Sequence, residues 1–222
     1  MKILRLLSAV LLLLMMTAAS IGAGPAVRYV AVGDSYTIGT GAPAGSSWPQ
    51  VMTAELSGRG KPIELIANLA QNGWTTADMI SGQLPKLAEL KPDLVTVMGG
   101  ANDAFQFVPV QEFEQRFNRL LYGVIAVTGD AKKVIVITIP DFSVAPAIRK
   151  NPGSYQSVIK SFNSIIIQSA ARQGCPVVDL YPGSQEMGND PLLVSADGLH
   201  PSAEMYSRWA AVIGAFIDEH LF

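Results

Sequence analysis

Five short runs of aliphatic residues recur along the chain, each followed by a longer segment with helical periodicity. The runs are nearly continuous Val, Ile and Leu, without alternation of apolar and polar positions, which is typical of parallel strands buried on both faces. They predict strands at Val27–Val32, Ile63–Ala67, Leu94–Met98, Val134–Ile139 and Pro176–Asp179. The segments between and after them predict helices at Trp48–Gly58, Thr75–Leu90, Val110–Val127, Tyr155–Gln173 and Pro201–Leu221.

Strand and helix alternate five times, which predicts an α/β domain with helices on both faces of a parallel sheet. No linker, repeat or charge run divides it, so we expect one domain over residues 27–222. In such folds the working site lies beyond the carboxyl ends of the strands. The segments to search are therefore the five strand exits: Gly33–Ser35, Asn68–Thr76, Gly99–Pro109, Pro140–Ser154 and Leu180–His200.

The first 26 residues have the order of a secretory signal peptide. Lys2 and Arg5 precede an apolar run, and small residues follow it, so we predict cleavage between Ala19 and Ala26 and an extracytoplasmic mature protein. The alternative is an uncleaved anchor, because the uncharged stretch Leu6–Val27 reaches the roughly 20 residues that span a bilayer. A lipoprotein anchor is excluded, because the only cysteine, Cys175, lies far downstream.

The composition and charge of the chain argue against some classes of partner. The mean hydropathy of +0.30 is high for a soluble protein, and the leader accounts for part of it. The net charge of −2 becomes about −4 without Lys2 and Arg5, and this lack of basic residues argues against a nucleic-acid or anionic-membrane partner. Cys175 has no partner for an internal disulfide, and we expect a buried structural thiol.

A glycine-rich turn, Gly39–Gly45, faintly resembles a dinucleotide-binding fingerprint. Its last spacing is one residue too long, Pro43 interrupts it, and it does not lead directly from strand to helix. A nucleotide cradle is therefore not favoured, and a Walker-type loop is excluded because Gly-Lys-Ser/Thr does not occur.

The chain has only two histidines, and one of them lies at a strand exit. His220 is the third residue from the end and is most simply a solvated terminal residue. His200 follows Asp197 by three residues in a glycine-containing turn, where the carboxylate can orient an imidazole that acts as a base. The simpler alternative is that Asp197 only caps a turn. A zinc site is less favoured, because such sites need three or four ligands and no second central histidine is present.

Other strand exits supply the partners that such a base would need. Ser35 in Gly33-Asp34-Ser35 is a candidate nucleophile, although an isolated Gly-Asp-Ser is most often a plain turn. Asn102 and the backbone N–H of Gly73 are candidate donors to an oxyanion. We assign Asp34 and Asp103 to loop hydrogen bonding.

These four segments, in order, resemble the SGNH hydrolases, the GDSL-type lipases and esterases. The matching residues are Ser35, Gly73, Asn102 in Gly-Ala-Asn-Asp and His200 in Asp-Gly-Leu-His, although Tyr36 replaces the Leu of the family's name. The resemblance implies a three-layer α/β/α sandwich with a flavodoxin-like five-stranded parallel sheet. It also implies ester hydrolysis without metal or cofactor, with a Ser35–His200–Asp197 triad and an oxyanion hole formed by Ser35, Gly73 and Asn102.

Several substrate classes remain open on this scaffold. An esterase or lipase acting on small-molecule or lipid esters is the leading hypothesis, and a carbohydrate O-deacetylase or a thioesterase is the alternative within the enzymes. A catalytically silent glycan- or lipid-binding module is the alternative from another class. The aromatic residues at the same exits are candidates for a substrate pocket, and core packing is the competing role: Trp74, Phe105, Phe107 and Phe142.

Overall fold

A computed structural model describes residues 24–148 and 152–222. Its centre is a five-stranded, fully parallel sheet in the order β2-β1-β3-β4-β5. The strands are β1 Val27–Gly33, β2 Ile63–Asn68, β3 Leu94–Met98, β4 Val134–Ile137 and β5 Val177–Val178. The predicted strands are thus confirmed, with differences of one to two residues at some ends.

Nine α-helical segments are described, and the long ones match the predicted helices closely. They are α1 Ser35–Ile38, α2 Trp48–Gly58, α3 Thr76–Asp78, α4 Leu84–Leu90, α5 Ala101–Phe105, α6 Val110–Thr128, α7 Pro152–Gln173, α8 Tyr181–Ser184 and α9 Ala203–Leu221. Short 3-10 turns supplement them at Ala131–Lys133, Phe142–Val144, Pro146–Ile148, Gln185–Gly188 and Pro191–Leu193.

The long helices pack in two groups, as a sandwich requires. Helix α2 packs against α9, whereas α6 packs against both α4 and α7. The chain runs from β1 to β2 in one direction and then returns across β1 to β3, β4 and β5. Because crossover connections are right-handed, this reversal places α4, α6 and α7 on the opposite face from α2 and α9. The three-layer α/β/α fold is therefore confirmed.

The core lies on both faces of the sheet. Every residue of β3 and β4 is buried, as continuous aliphatic strands require. The one polar residue among them, Thr96, shares a 2.8 Å hydrogen bond with the hydroxyl of Tyr29 on β1. Cys175 is buried, as expected, and burial raises the pKa of its thiol to about 11.

Two sequence expectations differ in detail from the structure. The predicted helix Thr75–Leu90 contains a π-helical turn, Met79–Gln83, between α3 and α4. The short helices α1, α5 and α8 were not predicted, because four or five residues are too few to show a helical period. None of the helices described is long and apolar enough to cross a membrane.

Candidate active site

Ser35 stands at the point where β1 turns into α1. Asp34 caps this four-residue helix, and its Oδ1 accepts a hydrogen bond from the Tyr36 N–H at 3.1 Å. Ser35 is the first helical residue, so its own N–H has no acceptor within the helix. The serine side chain therefore lies at the carboxyl end of β1 with an amide donor beside it.

The loop that carries His200 is held closed by backbone contacts. An isolated antiparallel bridge joins Val194 to Pro201, and the Ser195 N–H donates to the His200 carbonyl at 2.8 Å. Gly198 makes the reversal with φ of 74°, a left-handed conformation that favours glycine. The loop therefore presents Asp197 and His200 in a fixed relation.

Asp197 binds both the imidazole and the backbone of His200. Its Oδ2 lies 2.7 Å from His200 Nδ1, and its Oδ1 accepts from the His200 N–H at 2.9 Å. A carboxylate can only accept, so Nδ1 carries the hydrogen and Nε2 is left as the basic nitrogen. Burial alone would raise the pKa of Asp197, but hydrogen bonds from His200, Leu199 and Ser195 outweigh it and hold this pKa well below its usual range.

The two candidate oxyanion donors lie on loops that bind each other. Asn102, on α5, donates from Nδ2 to the Trp74 carbonyl at 3.0 Å, next to Gly73. Asp103 accepts from both the N–H (2.8 Å) and the hydroxyl (2.7 Å) of Thr76. Asp103 thus bonds across two loops, a wider role than the loop hydrogen bonding we predicted. These contacts fix the exits of β2 and β3 relative to each other.

A single cleft brings these loops together. Its volume is about 260 Å³. Its lining residues follow all five strands: Ser35, Tyr36, Thr40, Asn72, Gly73, Ala101, Asn102, Phe105, Phe142, Leu199 and His200. Ser35, Gly73, Asn102 and His200 therefore share one cleft, and Asp197 lies behind His200 at hydrogen-bonding distance.

The four aromatic candidates divide into two pairs. Phe105 and Phe142 line the cleft. Trp74 packs instead against Gly82, where an added Cβ would lie 2.4 Å from its ring. Phe107 packs against Tyr155, with ring centroids 4.9 Å apart. Trp74 and Phe107 are thus outside the lining, in contrast to the expectation from the sequence.

Tyr36 and Tyr206 support the site, and sequence reasoning assigned a role to neither. The Tyr36 ring is buried against the His200 imidazole, with centroids 5.6 Å apart, and against Trp209 on α9. The Tyr206 hydroxyl donates to the carbonyl of Thr40 at 2.9 Å. Burial raises the pKa of both phenols, so both stay protonated. Only the position of Tyr36 next to Ser35 could have indicated a role.

The glycine-rich turn has a packing function in the structure. A Cβ on Gly41 would lie 2.6 Å from Ser195 Oγ and 3.0 Å from His200 Cβ. Gly41 also has φ of 92°. The turn therefore needs glycine so that it can pass close to the histidine loop, which explains the motif without a nucleotide.

His220 and Asp34, which the sequence analysis also considered, do not line the cleft. His220 is exposed and stacks on Phe216, as expected of a terminal residue. Asp34 is fully buried, and its Oδ2 has no hydrogen-bond partner among the described residues. Burial raises the pKa of Asp34 to about 7. Within residues 24–148 and 152–222 no group of three or more His, Cys, Asp or Glu could hold a metal ion.

Comparison with known proteins gives one consistent result. Residues 31–208 match the sequence profile of the GDSL-like lipase/acylhydrolase family. An arylesterase of Vibrio mimicus is 24% identical over 195 residues, covering 87% of this chain and 90% of that protein. A lipase/acylhydrolase from Enterococcus faecalis superposes with a TM-score of 0.74 at 26% identity, covering 88% of this chain and 97% of that one. An acetyl xylan esterase, AlAXEase, superposes with a TM-score of 0.69 at 17% identity, covering 86% of this chain and 100% of that one.

Proposed function

The chain belongs to the GDSL-like lipase/acylhydrolase family, and from this membership we propose that it is an exported, serine-dependent hydrolase of acyl esters. The observation that carries the proposal is the shared cleft. Ser35, Gly73, Asn102 and His200 come from four different loops and line the same space, and Asp197 holds the imidazole. Each residue type alone is ordinary in a loop, but together they supply a nucleophile, a base and oxyanion donors.

The proposed reaction proceeds through a covalent acyl-enzyme. Ser35 Oγ attacks the acyl carbonyl carbon while His200 Nε2 takes the hydroxyl proton. The tetrahedral intermediate collapses, the C–O bond to the alcohol breaks, and His200 returns the proton to the leaving oxygen. Water, deprotonated by His200, then releases the acid and restores Ser35. Asp197 keeps the imidazole in the required tautomer and stabilises its charged form.

The developing oxyanion needs donors that are already in place. The N–H groups of Ser35 and Gly73 and the Nδ2 of Asn102 are the candidates, and the bond from Asn102 to the Trp74 carbonyl orients the amide beside Gly73. Loss of one such donor raises the barrier by about 2.7 to 4 kcal/mol in enzymes of this kind. We therefore assign the oxyanion hole to these three residues.

The cleft suits a small or slender acyl group. Phe105 and Phe142 form its apolar wall, with ring centroids 6.3 Å apart. Phe142 is 3% exposed whereas Phe105 is 47% exposed, so the wall extends from the protein interior to the surface. We place the acyl group against these two rings and the alcohol toward solvent. No metal or cofactor enters this scheme, and the ester and water are the small molecules that it requires.

A carbohydrate O-deacetylase is the second candidate. The fold that this chain shares with an acetyl xylan esterase is compatible with it. A volume of about 260 Å³ accommodates an acetyl group easily and would leave a sugar at the open side. The two candidates differ in the acyl length and the alcohol, not in the residues that perform the chemistry.

Hydrolysis of p-nitrophenyl esters from acetate to palmitate, by the chain from Val27 onward, tests the proposal. We expect turnover that Ser35→Ala abolishes, with unchanged thermal stability of the variant. Activity confined to acetate, together with acetate release from acetylated xylan, would favour the deacetylase. A folded wild-type chain that turns over none of these esters, and that a phosphonate ester does not label, would contradict the enzyme and favour a binding module.

A further inference from the structure

Gly33, the residue before Asp34 and Ser35, has a main-chain N–H and C=O that no strand of the sheet pairs. Pairing between β1 and β2 extends only to Ala31 and Asn68, two residues short of Gly33. Alternate residues of a strand direct their N–H and C=O groups toward the same neighbour. The Ala31 carbonyl faces β2, where it accepts from the Leu69 N–H at 2.9 Å. The N–H and C=O of Gly33 therefore face the side on which β2 has already ended, where the following loop supplies one long bond, from the Gln71 N–H to the Gly33 carbonyl at 3.4 Å.

The side chain of Gln83 takes the place of the missing strand. Its Oε1 accepts from the Gly33 N–H at 3.0 Å, and its Nε2 donates to the Gly33 carbonyl at 2.7 Å. The Gln83 residue is 1% exposed. Both halves of one buried amide thus bind both main-chain groups of one residue, as a neighbouring strand would.

The π-helical turn brings Gln83 to this position. Residues Met79, Gln83 and Leu87 form the buried stripe of this helical segment, so a polar side chain stands where an apolar one would normally be. The Leu84 N–H bonds to the Met79 carbonyl, five residues back. Pro85 accounts for the wider turn, because it lacks an N–H and its ring clashes with the carbonyl four residues back in a regular helix. π-helical turns are uncommon and frequently occur at functional sites.

Gly33 packs directly against the helix that carries Ser35. A Cβ on Gly33 would lie 2.2 Å from Thr37 Oγ1 and 2.9 Å from the Met98 carbonyl. Helix α1 is therefore packed against the Gly33 backbone with no space between them. A shift of Gly33 must move Thr37, and with it Ser35.

We infer that Gln83 is a positioning residue for the nucleophile: its amide fixes Gly33, and through it the Oγ and the N–H of Ser35. The inference rests on the proposed serine mechanism. Gln83 touches neither substrate nor reacting atoms, so its loss should lower kcat and leave KM little changed. Displacements of about 1 Å in a reacting group can reduce rates about 100-fold.

The chain contains a matched control. Asn163 on α7 binds the exit of β4 in the same way. Its Oδ1 accepts from the Ile139 N–H and its Nδ2 donates to the Ile139 carbonyl, both at 2.8 Å. Asn163 is also buried, at 6% exposed. Ile139 follows β4 and leads to no candidate nucleophile or base. Phe142, three residues further on, lines the acyl side of the cleft, so an effect transmitted through it should change KM. An amide lost here has a similar structural cost without disturbing Ser35.

The experiment compares Gln83→Glu and Gln83→Met with Asn163→Asp and Asn163→Leu, using p-nitrophenyl acetate and thermal melts. We expect both pairs to lower the melting temperature, and only the Gln83 variants to lower kcat, by tenfold or more, at unchanged KM. In Gln83→Glu the ionised carboxylate cannot donate to the Gly33 carbonyl, whereas the protonated acid can. The ratio of variant to wild-type kcat should therefore rise as the pH falls from 8 to 6.

Hydrogen exchange of a peptide spanning residues 31–38 provides a readout independent of turnover, and it should be faster in Gln83→Met than in Asn163→Leu. Full kcat in the Gln83 variants, or an equal loss of kcat in the Asn163 variants, would overturn the positioning role while the serine mechanism stands. A wild type without Ser35-dependent turnover would overturn both. The two failures are therefore distinguishable.

Discussion

At the residue scale, the strongest electrostatic feature of the site is the Asp197 carboxylate. It accepts four hydrogen bonds, from the Ser195 hydroxyl, the Leu199 N–H, and the N–H and Nδ1 of His200. These bonds favour its charged form, so it stays ionised throughout the pH range in which a histidine can act as a base. The orientation of His200 therefore depends on one acceptor that is always available.

Replacement of this acceptor should disable His200, the proposed base, without unfolding the loop. In Asp197→Asn the amide still accepts through one oxygen, but its NH₂ cannot accept from His200 Nδ1, so the tautomer is wrong. We expect kcat to fall about 10²- to 10⁴-fold with little change in KM. Ser195→Ala, which removes only one of the four bonds, should lower kcat less than tenfold. Retention of more than a tenth of wild-type kcat in Asp197→Asn would show that another group orients the imidazole.

Asp34 should make the stability of the protein depend on pH in the opposite direction from an ordinary carboxylate. Burial raises its pKa to about 7, above the usual unfolded value. The native state then holds a proton that the unfolded state has released, so the free energy of unfolding falls as the pH rises from about 4 to 7 and is level above that. The slope is at most about 1.4 kcal/mol per pH unit.

Urea unfolding of the wild type and Asp34→Asn at pH 5, 6, 7 and 8 checks this. The neutral amide cannot release a proton, and its oxygen can still accept from the Tyr36 N–H. We expect the stability of the variant relative to wild type to increase between pH 5 and 7 and to be constant between pH 7 and 8. If the free energy of unfolding differs between variant and wild type by the same amount at every pH, Asp34 is ionised in the native state over this whole range.

At the element scale, the sequence predicted the long elements well and the short ones poorly. Aliphatic strands such as Leu94–Met98 are buried on both faces, so burial and sequence agree at every position. The π-helical turn at Met79–Gln83 could not be predicted, because Pro85 indicates only a break and the partner of Gln83 lies on a strand 50 residues away. The candidate donors Gly73 and Asn102 were found from their places at strand exits, and the family resemblance then gave them a common role, since isolated loop residues carry no period.

The loop at Gly39–Gly45 offers a test that separates backbone strain from contact with the site. Gly41 and Gly45 both have left-handed backbones, with φ of 92° and 88°. A Cβ at Gly41 would press on Ser195 and His200, whereas a Cβ at Gly45 would meet nothing within 4 Å. Only the first substitution should therefore disturb the base.

We expect Gly41→Ala and Gly45→Ala each to lose roughly 1–2 kcal/mol of stability through left-handed strain. Gly41→Ala should also lower kcat for p-nitrophenyl acetate by tenfold or more, because its methyl group displaces the histidine loop. Gly45→Ala should keep wild-type kcat. Equal kcat in the two variants would mean that neighbouring residues move to accommodate the methyl group at position 41 without displacing His200.

At the scale of the whole molecule, the strand order explains why distant segments form one site. β1 lies between β2 and β3, so the exits that carry Ser35, Gly73 and Asn102 are adjacent. His200 comes from the far side of the sheet, after β5, and reaches Ser35 because α9 crosses back to pack on α2. Aliphatic runs predict that strands exist but not their order, so the sequence predicted that the site lies at the strand exits, whereas only the family resemblance indicated which exits meet.

The leader predicted over residues 1–26 lies almost wholly outside the described residues, which begin at Gly24. Cleavage between Ala19 and Ala26 would leave β1 intact, because that strand begins at Val27. We expect a full-length chain expressed in an exporting bacterium to appear outside the cytoplasm. Its intact mass should place the first residue between Ser20 and Val27. Its melting temperature should equal that of a chain expressed from Val27 onward. Leu11→Arg with Leu13→Arg should keep it in the cytoplasm, because a charged run is not recognised as a signal. Recovery of the uncleaved chain from the membrane fraction would instead establish the anchor. The domain would then act at the membrane surface, tethered through the residues that precede β1.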